Sequence, residues 1–336
     1  MANTKQQASA ARRREQQRQQ RLRQNQQQSR ARIRAKRGRR SNSLGIIVGV
    51  LIAVALLVIG FIVFSRLNSG TTGTSADTNL TSNPQVLKQV TSVSPSVYDT
   101  IGTGGVTNPL NVTKNQPLLK GSDGKPEFFY AGAEYCPYCA AERWGMITAL
   151  SRFGTFSNVS LIHSSESEIP TFSFYKSTFT SQYVDFVPLE AQGQAVNGGQ
   201  PPVLQAPTAE QEKLVATYNA PPYVSQSAAG SIPFVDIGNQ YILSGASYSP
   251  TLLQSSDQKT ISSQLSDPTS DITKSIIGTA NYLTAGICKI TNQQPGSVCN
   301  SNAIQTIEKG IGSVSTGGSQ LGSIAAPALA DLRRID

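Results

Sequence analysis

Four cysteines and a single histidine make up the soft, nucleophilic chemistry of this chain. Two of the cysteines, Cys136 and Cys139, stand in "AEYCPYCAAERW" with Pro137 and Tyr138 between them. Residues three apart share one side of a helix, so a thiol just before a first turn can bond to one inside it. The first thiol then lies at the positive end of the helix dipole, near unpaired N–H groups that favour a thiolate. That asymmetry suits dithiol–disulfide exchange, with Cys136 as the exposed attacking thiolate and Cys139 as the shielded thiol that resolves the mixed disulfide. Two other chemistries share the spacing. A zinc site needs four ligands, and only His163, Cys288 and Cys299 remain to complete one. A purely structural bridge is the other, although closing so short a loop restrains the unfolded chain little.

An exchanging pair needs a strand leading into a helix, and the flanking sequence supplies both. "EFFYAG" reads as a strand over Glu127–Gly132, after a turn at 122–124. The spacing of Trp144, Ile147, Leu150 and Phe153 predicts a helix over 137–153, with Pro137 in its first turn and Gly154 as its stop. "NVSLIHSS" reads as a second strand ending at His163, which is expected to be a packed or hydrogen-bonded histidine. Two short aromatic–polar runs over 171–188 suggest a hairpin or edge strands. "TAEQEKLVATYN" is a helix capped by Thr208, and "SIPFVDIGNQYILSG" holds two strands around Gly238 and Asn239. A longer helix is expected over 267–283.

On these residues the segment resembles the active site of thioredoxin-like proteins. "AEYC" is close to the thioredoxin "AEWC", with Tyr135 at the aromatic position, and Pro137-Tyr138 is the dipeptide glutaredoxins use. "GSIPFVDI" resembles the loop that carries a cis-proline opposite the active site. The resemblance implies an α/β thioredoxin-like fold: a central mixed sheet flanked by helices, here with a long insertion at about 164–230. It also implies a cis Ile232–Pro233 bond and a substrate groove formed by Tyr135, Pro137, Tyr138, Ile232 and Pro233. A resemblance over more of the chain, through "GAEYCPYCAAERW", "ALSRFGTFS", "HSS", "TFSFY" and "YVDFVPLE", is to the archaeal and bacterial domain-of-unknown-function family numbered 929. That family is thioredoxin-like, often membrane-tethered and without an established substrate. The chain departs from thioredoxins where they carry a buried acid six residues before the first cysteine, because Tyr130 stands there. Glu127 and Glu134 are the nearby carboxylates, expected to be solvated at a strand end and on the surface.

Charge divides the chain. Residues 1–43 hold fourteen Lys or Arg and one acid, so a net charge of +9 leaves −4 on the remainder. This Arg- and Gln-rich tail has little to bury and reads as disordered. The 21 uncharged residues 44–64 would span about 31 Å as a helix, a hydrocarbon core's thickness. Basic residues crowd its N-terminal flank, so the expectation is a single-pass, plasma-membrane signal anchor with the N-terminus cytoplasmic and the rest extracytoplasmic. Residues 65–84 read as a flexible tether, 85–312 as the folded domain with a C-terminal helical extension, and 313–336 as a weakly structured tail. Beyond the membrane disulfides persist, and Cys288 and Cys299 are expected to form a structural one, with a second redox pair as the rival reading. No GxGxxG follows a strand and no Walker sequence occurs, so no organic cofactor is implied.

The function these readings support is a membrane-anchored thiol–disulfide oxidoreductase acting on protein thiols or disulfides. The expected partners are those substrates, a membrane redox protein for regeneration and anionic lipid at the basic tail, and no nucleic acid is expected. The alternatives are a thioredoxin-like binding module without catalysis and a copper-handling metallochaperone, since thiolates suit Cu(I).

Overall fold

The computed structural model describes residues 83–312. The expected basic tail, membrane span, nearly all of the tether and the 313–336 tail lie outside the described residues. Among the described residues no helix is long and apolar enough to cross a membrane.

The domain opens with two short helices, α1 (Pro84–Thr91) and α2 (Pro95–Ile101), each with a proline in its first turn, where a missing N–H costs nothing. A two-residue strand β1 (Asn111–Val112) precedes β2 (Glu127–Gly132), which leads into α3 (Pro137–Leu150). Four short strands follow: β3 (Gly154–Ser157), β4 (Ser160–His163), β5 (Pro170–Ser173) and β6 (Thr178–Ser181). Next come β7 (Asp185–Glu190) and α4 (Ala209–Tyr218), whose start is a capping box in which Thr208 and Gln211 satisfy each other's N–H groups. The hairpin β8 (Phe234–Ile237) and β9 (Tyr241–Ser244) precedes α5 (Gln258–Gln264), the long α6 (Asp271–Ile290), α7 (Gly296–Cys299) and α8 (Asn302–Ile311).

A central mixed sheet runs in the order β1-β9-β8-β2-β7. Strand β7 is parallel to β2, whereas β8 and β9 are antiparallel to their neighbours. Both faces of the sheet are covered. Phe128, Tyr130, Val235, Ile237 and Leu243 belong to the larger apolar cluster with α3 and α6, while Phe129, Ala131, Phe234 and Ile242 belong to a smaller one with Cys136, Cys139 and Tyr218. That division is the period-two alternation of strands covered on both sides. Helices α3 and α6 pack closely because Gly145 lacks a side chain: a Cβ there would lie 2.6 Å from Thr279 Cγ2.

Several expectations change. The helix after the cysteines ends at Leu150, not Phe153, and Gly154 begins β3 instead of stopping the helix. The run 171–188, expected as a hairpin or edge strands, is not one hairpin, since β5 pairs with β4 and β6 pairs with β3, but the residues from Asp185 do form an edge strand, β7, of the central sheet. The second strand read in "NVSLIHSS" therefore lies outside that sheet, and the segment 164–230, expected as an insertion, supplies a central-sheet strand. The long helix runs over Asp271–Ile290, several residues later than its periodicity suggested.

Candidate active site

The turn from β2 into α3 places the two thiols. Cys136 is the N-cap residue of α3, with extended backbone, and its Sγ accepts a hydrogen bond from the Cys139 N–H at 3.3 Å. A sulfur in this position does the work usually left to a Ser or Asp oxygen at a helix start. Cys139 lies one residue inside the first turn's Pro137-Tyr138 step. Neither cysteine is in a disulfide.

Across the gap lies the loop before β8. The Ile232–Pro233 bond is cis, and the Ile232 carbonyl oxygen accepts a weak, 4.0 Å contact from the Cys136 thiol. The residues expected to form a groove are thus drawn to one place, but they do not form an open trough. Tyr135 and Tyr138 are half-buried, while Pro137, Ile232 and Pro233 are buried. Cys136 is 4 % exposed and Cys139 0 % exposed, which corrects the expectation that Cys136 is the exposed member. Tyr223, Ala228 and Ala229, from the segment between α4 and β8, pack against the same apolar cluster.

The asymmetry of the pair is electrostatic. Burial pushes the Cys136 thiol up, but hydrogen bonds from the Cys139 thiol and N–H, the Arg143 charge and the Tyr138 N–H together hold it below the ordinary thiol range. Burial pushes Cys139 well up, and its role as donor to Cys136 and the Cys136 charge add to that. Of the two thiols, Cys136 gives up its proton more readily and Cys139 keeps its own more firmly.

Beneath the pair sits a charged group that sequence reasoning missed. Arg143, fully buried on α3, donates from Nε to Glu190 Oε1 at 2.8 Å, from Nη2 to Glu190 Oε2 at 2.7 Å and from Nη2 to the Ala133 carbonyl at 2.8 Å. This bidentate pair, the strongest common geometry for the two groups, ties α3 to the end of β7 and fixes the backbone three residues before Cys136. Its guanidinium lies 5.9 Å from the centre of the Tyr130 ring. A signal for it existed: α3 is apolar on every face, so a Glu-Arg sequence within it must be buried and paired.

The other nearby carboxyls also depart from expectation. Glu134 is buried, accepts a hydrogen bond from the Ser173 hydroxyl and is raised by burial, so it is not a surface group. Glu127 is half-buried, and burial followed by the Asp185 charge pushes it up to about 7. His163 is exposed at the end of β4, not packed. Cys288 and Cys299 are joined in a disulfide with a Cα–Cα distance of 5.6 Å. Among the described residues no group of three or more His, Cys, Asp or Glu could hold a metal ion.

A family model described as a domain of unknown function, DUF929, matches residues 109–289, more than half of the chain and all of the central sheet. No curated protein and no solved structure matches the chain.

Proposed function

We propose, for a chain that belongs to the DUF929 family, a thiol–disulfide oxidoreductase that works through Cys136 and Cys139 on protein substrates. The observation that carries the reading is the paired thiols' geometry: a sulfur capping a helix that follows a central strand, bonded by the N–H of a second, fully buried cysteine. Such a sulfur is a stabilised thiolate and therefore also a good leaving group. In the reducing direction Cys136 attacks a substrate disulfide, forming a Cys136–substrate bond and releasing one substrate thiolate. Cys139 then loses its proton and attacks Cys136; the internal disulfide forms, and the second substrate sulfur leaves and takes up a proton. The oxidising direction is the reverse.

The order β2–α3–β7–α4 followed by β8 and β9, with β7 parallel and the hairpin antiparallel, supports a thioredoxin-like reading of the fold. The strands β3 to β6 are then additions between α3 and β7. The Cys288–Cys299 disulfide supports an extracytoplasmic domain, since such bonds persist where the environment is oxidising. In this reading residues 44–64 anchor the chain in the plasma membrane, anionic lipid attracts the basic tail, and a membrane redox protein regenerates the pair.

The test is a trap. A full-length Cys139→Ser variant, expressed in its native host and alkylated on lysis, should carry proteins joined to Cys136 by reducible bonds. Absence of any such adduct, with Cys136 of the reduced wild type inert to alkylating reagents, overturns the proposal. The low exposure of Cys136 favours a second reading, a binding module in which the cysteines are structural. A Cys136→Ser chain that keeps its full biological activity would select that reading.

A further inference from the structure

Two polar atoms near the thiols have no hydrogen-bond partner although both are buried: the Tyr130 hydroxyl and Arg143 Nη1. Leaving a donor unpaired in a protein interior is unfavourable, so such groups call for a reason. Nothing in the packing supplies one for Tyr130. Its ring is held against Phe174 at a centroid distance of 5.4 Å and would be held equally well as a phenylalanine. The hydroxyl is aimed at a specific place. Gly132, two residues on along β2 and therefore on the same face, has no side chain. A Cβ built there would collide with the Tyr130 hydroxyl and lie 3.0 Å from Cys139 Sγ. The glycine thus opens a small space into which the hydroxyl and the resolving sulfur both project.

We propose that Tyr130 is a positioning residue for Cys139, donating its O–H to the sulfur when Cys139 becomes a thiolate. The inference rests on the disulfide-exchange reading and names a group for its second step. In the resting pair Cys139 carries a proton that it shares with Cys136, and Tyr130 has nothing to donate to. When Cys136 is bound to substrate, it no longer accepts that proton. Cys139 must then be a bare thiolate in an apolar cluster, and its only compensation is what surrounds it. The Tyr130 hydroxyl and the Arg143 charge are both at hand. Burial holds the Tyr130 phenol well above its ordinary range, so it stays protonated and acts as a donor, not as a base. The Cys139 proton therefore ends on the departing substrate thiolate. The step balances: the Cys136–substrate bond breaks, the Cys136–Cys139 bond forms, and one thiol proton moves from Cys139 to the leaving sulfur.

The experiment uses the full chain in detergent, reduced at Cys136 and Cys139, and an aromatic disulfide whose released thiol is coloured. The first burst of colour reports attack by Cys136, and the second reports Cys139 closing onto the mixed disulfide. Tyr130→Phe should leave the first phase unchanged. It should slow the second roughly tenfold near neutrality, the effect of one hydrogen bond to a charged group, and move that phase's pH midpoint upward. A second phase with the wild-type rate and midpoint overturns the role of Tyr130 while leaving the exchange reading intact. If the wild type gives no first phase, the exchange reading is overturned. The Tyr130–Cys139 link is then read from the thiolate absorbance of Cys139 in a Cys136→Ser background. There Tyr130→Phe should raise the titration midpoint, and an unchanged midpoint overturns the inference.

Discussion

The two cysteine pairs of this domain solve opposite problems. Cys288 and Cys299 are wholly buried in the larger apolar cluster, eleven positions apart, and joined. Cys136 and Cys139 are buried in the smaller cluster, three positions apart, and free. A bond meant to stay closed is served by apolar surroundings that exclude thiols and by a loop long enough for its closure to restrain the unfolded chain. In the proposed exchange, a bond that opens and closes must make a thiolate tolerable whenever it is open, and apolar surroundings do the reverse. The open pair therefore rests on a buried cation, Arg143, and on a helix start, neither of which the closed pair requires. Burial alone does not distinguish the closed pair from the open one; the charge beneath the sulfurs does.

The comparison can be broken most strongly at the floor of the open pair. Arg143→Met strands the Glu190 carboxylate in the interior. Removing one partner of a buried ion pair costs about 3–5 kcal/mol, which denaturant unfolding of the full chain should register. The loss should be accompanied by a higher pH midpoint for alkylation of Cys136, because the cation helps hold that thiol down. If stability falls but the midpoint stays, Arg143 is only structural. At the closed pair the expected effect is slightly smaller and of a different kind. Replacing Cys288 and Cys299 together by Ala should cost about 3 kcal/mol for a loop of this length, with the rate of exchange at Cys136 unchanged. A fall in exchange instead would make the second pair an electron relay and erase the distinction.

Parts of this arrangement were legible in sequence because they are local. The strand Glu127–Gly132, the helix start at Pro137 and the Thr208 cap each depend on residues within one turn of one another. The Cys136–Cys139 spacing is legible for the same reason. What was hidden depends on chain that returns from afar. Arg143 meets Glu190 from 47 positions away, and the Tyr130 hydroxyl acquires meaning only when α3 folds back past Gly132. The place of β7 in the central sheet was hidden for the same reason, because its pairing with β2 joins segments separated by four intervening strands; Pro188 is tolerated there because β7 is the sheet's edge, where one N–H fewer breaks no second ladder. The helix overran to Phe153 because that side chain continues the apolar spacing, and it is indeed buried, but from a turn beyond the helix.

The last test concerns pH, and again it separates the pairs. Glu142, three residues past Cys139, is fully buried, and its carboxylate accepts hydrogen bonds from the Ser247 N–H at 2.8 Å and the Ser247 hydroxyl at 3.0 Å. Burial outweighs both bonds and pushes the carboxyl from its ordinary 4.5 up to about 7. Between those values the folded protein keeps a proton that the unfolded chain has released. Stability is therefore greatest at the acid end of that window and declines as pH rises through it. A shift of this size corresponds to a decline on the order of 3 kcal/mol. Asp236, pushed by burial from 3.8 to about 7, contributes with the same sign. The lowered Cys136 thiol acts in the opposite sense at higher pH, so the informative quantity is a difference between variants. Glu142→Gln keeps the shape and removes the charge, and it should flatten the decline between about pH 5 and about pH 8 relative to wild type. The Cys288→Ala, Cys299→Ala variant should keep the wild-type decline, because a disulfide does not titrate. Equal slopes in wild type and Glu142→Gln would show that this carboxylate is stabilised by Ser247 more than it is penalised by burial.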